Sequence, residues 1–175
     1  LPRVNLQSND FELFGVDRQF AQDRAALDAR WKELQREAHP DKFSAQGEAA
    51  QRVAMQWSVR INEAYQRLKD PLKRAAYLCE LAGAPINAHS NTAMPSAFLM
   101  QQMEWREELD DARDETTLSA LRENVDAAQR GLIGECATLL DVQHDYPAAV
   151  QSVRALMFIE KFSHDLDAAF DRLDI

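Results

Sequence analysis

The spacing of apolar residues along the chain predicts helices nearly throughout. A short apolar cluster at residues 11–16 contains Gly15 and indicates one or two helical turns. Asp23 is a good capping residue for the next helix. The apolar positions of that helix recur at spacings of four, three and four residues: Leu27, Trp31, Leu34 and Ala38. Pro40 should end it, because proline lacks a backbone donor and disfavours helical geometry at the residue before it.

Residues 39–47 then form a loop that closes at Gly47, and a third helix is predicted over 48–68. Its apolar stripe consists of Val53, Trp57, Ile61, Ala64 and Leu68. Asp70-Pro71 begins a fourth helix, which should end at Gly83 because glycine suits the left-handed residue after a helix.

Residues 84–96 carry turn formers and no charge, and therefore read as a linker. Three more helices follow, at about 97–114, at about 117–140, and from Asp145-Pro147 almost to the end. The middle one has a continuous apolar stripe: Leu118, Leu121, Val125, Ala128, Leu132 and Leu139. Gly131 and Gly134 are weak points within it. With no competing strand pattern, the sequence predicts an all-α protein whose last three helices form an antiparallel bundle.

Charge narrows the possible partners. The chain has 175 residues, with 20 Lys plus Arg and 29 Asp plus Glu, and its net charge is −9. This balance argues against a nucleic-acid binder, which needs clustered positive charge. Residues 1–80 hold 13 basic and 12 acidic side chains, whereas residues 81–175 hold 7 and 17. The asymmetry indicates two surfaces with different partners, or two solvated surfaces that differ by drift.

Targeting and redox signals are weak. The first residues lack a charged start followed by an apolar run, and we expect residues 1–8 to be disordered or added for expression. The uncharged stretch 81–103 is interrupted too often by proline and polar residues to span a membrane. Cys79 and Cys136 alone make neither a disulfide framework nor a zinc site, which fits a reducing compartment.

The most informative motif is His39-Pro40-Asp41-Lys42-Phe43, between two amphipathic helices, with Lys73 to Tyr77 in the fourth helix. Residues 9–83 resemble, in order and length, the J domain of co-chaperones that stimulate ATP hydrolysis by DnaK-type chaperones. The resemblance implies that His39, Pro40 and Asp41 contact the chaperone. The chemistry suits this role, because Pro40 stiffens the loop, Asp41 offers an acceptor and His39 a donor.

Basic side chains flank the loop: Arg30, Lys32, Arg36 and Lys42. By resemblance they face an acidic chaperone surface and steer association. The alternative is a solvated helix face with ion pairs along the helix. J domains commonly have an aromatic residue before the motif, and here Ala38 stands there. We expect that this change loosens packing under the loop.

The sequence gives little support for a catalytic or metal-binding role. Residues on either side of a proline do not readily face each other, so a His39–Asp41 dyad is disfavoured, and no nucleophile or phosphate-binding glycine loop accompanies them. The spacings between His39, His89, His144 and His164 match no metal-ligand pattern. The sequence predicts no catalytic residue, metal or cofactor, and a protein that is not an enzyme.

The helix at 97–114 is apolar on two faces. One face is expected in the core: Phe98, Trp105, Leu109 and Ala112. The other mixes apolar and acidic side chains: Leu99, Met100, Met103, Glu104, Glu107 and Asp111. A helix apolar on two faces is buried twice or binds something. The apolar residues of the last helix likewise spread around most of its circumference.

Five segments make the chain similar to the HscB family of J-domain co-chaperones: residues 9–15, 39–43, 98–100, 106–110 and 153–156. The resemblance implies a J domain joined to a three-helix bundle. It also implies that the bundle binds an IscU-type iron–sulfur scaffold and delivers it to an HscA/DnaK-type chaperone. The implied scaffold-binding residues are Leu99, Met100, Met103, Glu104, Glu107, Asp111 and Phe158. No Cys-rich module like that of mitochondrial relatives is seen, so a bacterial, cytoplasmic type is expected.

The predicted organisation is a start at 1–8, a J domain at 9–83, a linker at 84–96 and a scaffold-binding domain at 97–175. Two other readings stay open: a J-domain co-chaperone with a different client, and a structural helical dimer in which the face around Leu99 and Met103 joins two copies.

Overall fold

A computed structural model describes residues 4–87 and 94–174, and within these ranges the regular structure is entirely helical. The all-α class is therefore confirmed. The chain divides into two compact units, residues 1–78 and 79–175. Residues 88–93 of the predicted linker, and residues 1–3 of the predicted start, lie outside the described residues. Among the rest of the start, the Ser8 amide donates to the Asn5 carbonyl in a turn.

The first unit contains α1 (Asp10–Phe14), α2 (Arg24–Ala38), a 3-10 helix (Pro40–Gln46) and α3 (Glu48–Lys69), and α4 (Pro71–Leu81) begins within it. Asp23 caps α2, with its carboxylate accepting from the amides of Ala25 and Ala26. The predicted irregular loop at 39–47 was wrong in part, since most of it is 3-10 helix. Pro40 at the first position has the fixed φ that such a start needs, and its missing N–H costs nothing there.

Helices α2 and α3 pack antiparallel. Trp31 donates to Asn62, Ser58 to Gln35, and Tyr65 to Asp28, so each step forward on α2 matches an equal step back on α3. Within the predicted stripe of α3, Ile61, Ala64 and Leu68 are buried. Val53 is 50% exposed instead, because this register carries the start of α3 past the last residue of α2.

A buried carboxylate ties α1 to α3. Asp10 is fully buried and accepts from Nε and Nη2 of Arg67 at 2.6 and 2.9 Å. Arg60 Nη2 lies 2.8 Å from the same carboxylate. The amide of Asp10 donates to the hydroxyl of Tyr77 at 3.0 Å, which adds α4 to the cluster. Two guanidinium groups thus offset the cost of burying one charge.

The second unit contains α5 (Ser96–Asp111), α6 (Glu115–Ala137), a π-helical turn (Thr138–Val142) and α7 (Tyr146–Leu173). Helix α5 ends three residues before its predicted end, because Ala112 and the residue that caps α6, Asp114, both have extended backbone. Buried core residues come from all three helices: Trp105, Leu118, Leu121, Val125, Ile159, Phe162, Leu166 and Ala169. Within the described ranges, no helix is long and apolar enough to cross a membrane.

Candidate functional site

The His-Pro-Asp loop (residues 39–41) projects where α2 ends. His39 has extended backbone and caps the 3-10 helix, with its Nδ1 accepting from the Asp41 amide at 3.2 Å. Because Nδ1 accepts, the neutral ring carries its proton on Nε2, on the opposite edge. The side chains of His39 and Asp41 are 57% and 93% exposed. The loop therefore offers a donor and a carboxylate acceptor to a partner.

The two side chains lie closer than the sequence argument supposed. His39 Nδ1 is 3.7 Å from Asp41 Oδ2, so the expectation that residues flanking a proline do not readily face each other was wrong for this pair. The Ser44 hydroxyl donates to the Asp41 carbonyl and helps to fix this turn. Among residues 4–87 and 94–174, no three His, Cys, Asp or Glu side chains are grouped to hold a metal ion.

Positive charge beside the loop is only partly compensated. Arg30 pairs with Glu33 at 3.2 Å, whereas Lys32, Arg36 and Lys42 are exposed and form no ion pair with any described residue. Further back on α2, the hydroxyl of Tyr65 and then Arg24 hold the pKa of Asp28 below its ordinary value. Of the three exposed cations, Arg36 lies in the last turn of α2, Lys32 lies earlier in the same helix, and Lys42 lies in the 3-10 helix.

A second surface lies on α5. We call the exposed set the α5 face: Leu99, Met100, Met103, Glu104, Glu107 and Asp111. Met100 and Met103 are 62% and 70% exposed. The opposite side of α5 is turned inward, since Trp105 is buried and Phe98, Leu109 and Ala112 pack against the core. The predicted division of this helix into two apolar faces is confirmed.

Phe158 differs from the other residues proposed for this surface. Its half-buried ring is stacked on Phe162 and meets Phe98 edge to face, both at 5.8 Å between ring centres. The guanidinium of Arg106 lies 5.8 Å over the same ring and pairs with Asp165 at 2.7 Å. The structure thus gathers six of the seven residues on one exposed face and places Phe158 among the core aromatics.

Sequence reasoning missed a cleft of about 390 Å³ between α5 and α6. It is lined by Glu104, Glu107, Glu108, Asp111, Thr117, Ala120, Leu121 and Asn124. Glu107, Glu108 and Asp111 have no cationic partner among the described residues. The α6 side of this cleft could not be predicted from the sequence, because its residues come close to α5 only when the helices of the bundle pack together.

The sequence of this chain is similar to those of known proteins. The family model described as "HSCB C-terminal oligomerisation domain" matches residues 94–167. A co-chaperone protein HscB homolog from Burkholderia multivorans is 48% identical over 98% of this chain and 99% of that protein. One from Bordetella petrii is 51% identical over 91% of this chain and 94% of its own length.

Solved structures show the same fold. The chaperone HscB from Vibrio cholerae is 38% identical with a TM-score of 0.82, covering 95% of this chain and 99% of that one. The human co-chaperone protein HscB is 26% identical with a TM-score of 0.89, covering 98% of this chain and 86% of that one. The chain therefore belongs to the HscB family of J-domain co-chaperones.

Proposed function

We propose that this protein is an adaptor in iron–sulfur cluster assembly. It binds an IscU-type scaffold through its C-terminal bundle and delivers the scaffold to an HscA/DnaK-type chaperone, whose ATP hydrolysis it stimulates. Membership of the HscB family supports the co-chaperone role. The observation that carries the proposal is the exposed His-Pro-Asp loop. The side chain of Asp41 is 93% exposed, and the imidazole of His39 is held by a hydrogen bond from the Asp41 amide.

The loop acts as a trigger and does no chemistry of its own. Asp41 accepts from a cationic or N–H donor on the chaperone, and His39 donates from Nε2. Pro40 and the hydrogen bond from the Asp41 amide to His39 hold both groups before contact, which lowers the entropy lost on docking. If one chaperone conformation contacts both groups and the other does not, binding of the loop favours the first by the difference between the two binding free energies.

Lys32, Arg36 and Lys42 steer this encounter. They are exposed, so their contribution is mainly to the association rate and falls with added salt. Arg30 contributes less, because Glu33 already compensates its charge. Association with the chaperone should therefore slow as ionic strength rises.

The α5 face holds the scaffold. Leu99, Met100 and Met103 supply an adaptable apolar surface, since methionine side chains fit irregular partners. The carboxylates beside them favour a partner with basic side chains at the edge of an apolar patch. Phe158 supports this surface from below through its contacts with the core aromatics.

A first experiment tests the loop. His39→Gln should abolish stimulation of the chaperone ATPase, because the imidazole donor and the cap on the Asp41 amide are lost. Steady-state ATP turnover with and without scaffold measures this effect. His164→Gln, an exposed histidine of α7, is the control and should stimulate like the wild type. Full stimulation by His39→Gln would remove the loop from the mechanism.

A second experiment tests the α5 face. Replacing Leu99 and Met103 together by Ala should weaken scaffold binding by about 2–3 kcal/mol, as central apolar anchors do. Leu173→Ala is a matched control, because Leu173 and Leu99 are both 41% exposed. Titration calorimetry measures both affinities, and thermal unfolding checks the fold. Equal affinities would show that the α5 face does not bind the scaffold.

A further inference from the structure

An open cleft of about 440 Å³ lies beside the His-Pro-Asp loop, and the function proposed above does not use it. Its walls come from the end of α2, the 3-10 helix and the start of α3. We call it the loop cleft, lined by Glu37, Ala38, Phe43, Gln46, Ala50, Val53, Ala54 and Trp57. Its volume is within the range of pockets that bind ligands.

Small side chains and the end of a helix create this space. Ala38, Ala50 and Ala54 leave room between α2 and α3 that larger residues would fill. Val53 projects where α2 no longer covers α3 and is 50% exposed. Six of the eight lining residues are apolar, so the cleft presents apolar surface to water at a measurable cost in free energy.

We propose that the loop cleft receives an apolar side chain of the ATPase chaperone when the His-Pro-Asp loop docks. This inference rests on the proposed function, because it assumes that the chaperone contacts residues 39–41. It adds a docking pocket to the trigger and names the chemistry of the group that enters it.

The position of the cleft identifies its occupant. Ala38 is bonded to His39, and Phe43 lies on the same 3-10 helix as Asp41, two residues or about 4 Å further along. A partner that reaches Asp41 therefore also reaches the mouth of the cleft.

Charge favours an uncharged side chain in the cleft. Residues 36–52 carry three basic side chains, Arg36, Lys42 and Arg52, and three acidic ones, Glu37, Asp41 and Glu48. Their charges cancel over the segment, and of the eight lining residues only Glu37, which is exposed to water, is charged. An apolar side chain gains by leaving water, whereas a charged one would lose hydration against six apolar walls.

The two parts of the interface then have separable effects. Contacts in the cleft hold the complex together and set the concentration at which this protein acts. Contacts of His39 and Asp41 favour the hydrolysing conformation and set the maximal stimulation. A titration of chaperone ATPase activity against this protein resolves the two quantities.

Val53→Asp tests the proposal in the full-length protein with the ATP-loaded chaperone. The added carboxylate must be desolvated on docking, so the half-maximal concentration should rise about tenfold while maximal stimulation is retained. Val59→Asp is a matched control on the same helix, outside the cleft, with Val59 51% exposed against 50% for Val53. It should behave like the wild type, and thermal unfolding should show both variants folded.

A second variant, Ala50→Leu, fills the cleft without adding charge and should raise the half-maximal concentration in the same way. If Val53→Asp and Ala50→Leu titrate like Val59→Asp while the wild type stimulates, the cleft proposal is wrong and the proposed function stands. A loss of maximal stimulation with unchanged half-maximal concentration would also overturn it. If the wild type neither binds nor stimulates the chaperone, the proposed function and the cleft proposal fail together.

Discussion

At the scale of single residues, the buried carboxylate of Asp10 is a main tie between helices of the first unit. It is fully buried, and Arg60 and Arg67 both reach it. Removing Asp10 would leave Arg60, whose side chain is only 14% exposed, without its carboxylate, whereas Arg67 is 40% exposed and can still be hydrated. The cluster also fixes α1 against α3.

Asp10→Asn should destabilise the protein by about 3 kcal/mol, because an amide cannot offset two guanidinium charges. Urea unfolding followed by circular dichroism measures the change. Asp17→Asn, at an exposed aspartate, provides the control and should change stability by less than about 0.5 kcal/mol. Similar losses in the two variants would mean that the Asp10 cluster contributes no more than an exposed charge.

Residue chemistry was predictable from sequence only where the partners are local. The motif at 39–41 identified the exposed loop, since three adjacent residue types carry its chemistry. The Asp10 cluster was not predictable, because Arg67 lies 57 positions away along the chain. The 3.7 Å approach of His39 to Asp41 was also missed, since it depends on the turn that the imidazole caps.

At the scale of elements, α6 is destabilised by two glycines in its interior. Gly131 and Gly134 lie within this helix, where glycine loses more backbone entropy than alanine does. A Cβ built at either position would meet nothing within 4 Å beyond the backbone of the helix itself. Neither glycine is therefore required by a close approach of a neighbouring side chain.

Gly131→Ala and Gly134→Ala should each stabilise the protein by about 0.5–1 kcal/mol. Thermal unfolding monitored by circular dichroism gives the change for each variant. Gly15→Ala should do the opposite, since Gly15 has a φ of 64°, which alanine adopts only with strain. A loss of stability in the α6 variants would show that these glycines serve packing or bending.

The ends of helices were predictable where a capping residue or a proline marks them in the sequence. Asp23 and Pro40 bracketed α2 correctly, and Asp145 marked the start of α7. The 3-10 helix at 40–46 was missed, because a helix of seven residues is too short to show an apolar periodicity. Val53 lies on the predicted apolar stripe but is 50% exposed, because periodicity identifies a face of α3 and not where α2 stops covering it.

At the scale of the whole molecule, the distribution of charge fits two different partners. The excess of acidic residues lies in 81–175, where the α5 face combines carboxylates with exposed methionines. Helical periodicity alone separated the two faces of α5, because it needs no knowledge of the neighbours. It did not place Phe158 among the core aromatics or reveal the α6 wall, because both depend on how three helices pack.

The α5 face could also join two copies of this chain, and the matching family model is described as an oligomerisation domain. In a symmetric dimer this face would meet the same face of the second copy, and a contact centred between Glu104 and Glu107 would bring these carboxylates near those of the other chain. Such like-charge contact is unfavourable, and it weakens only as salt screens it. We therefore expect a monomer at low salt across a wide concentration range.

Light scattering over a dilution series, at low and at high ionic strength, measures the oligomeric state. The expected result is a molar mass near the 19.9 kDa of one chain at low salt, for the wild type and for Met103→Asp alike. A wild-type dimer that Met103→Asp dissociates would assign the α5 face to self-association. In that event the scaffold would have to compete with a second copy, and its binding would weaken as protein concentration rises.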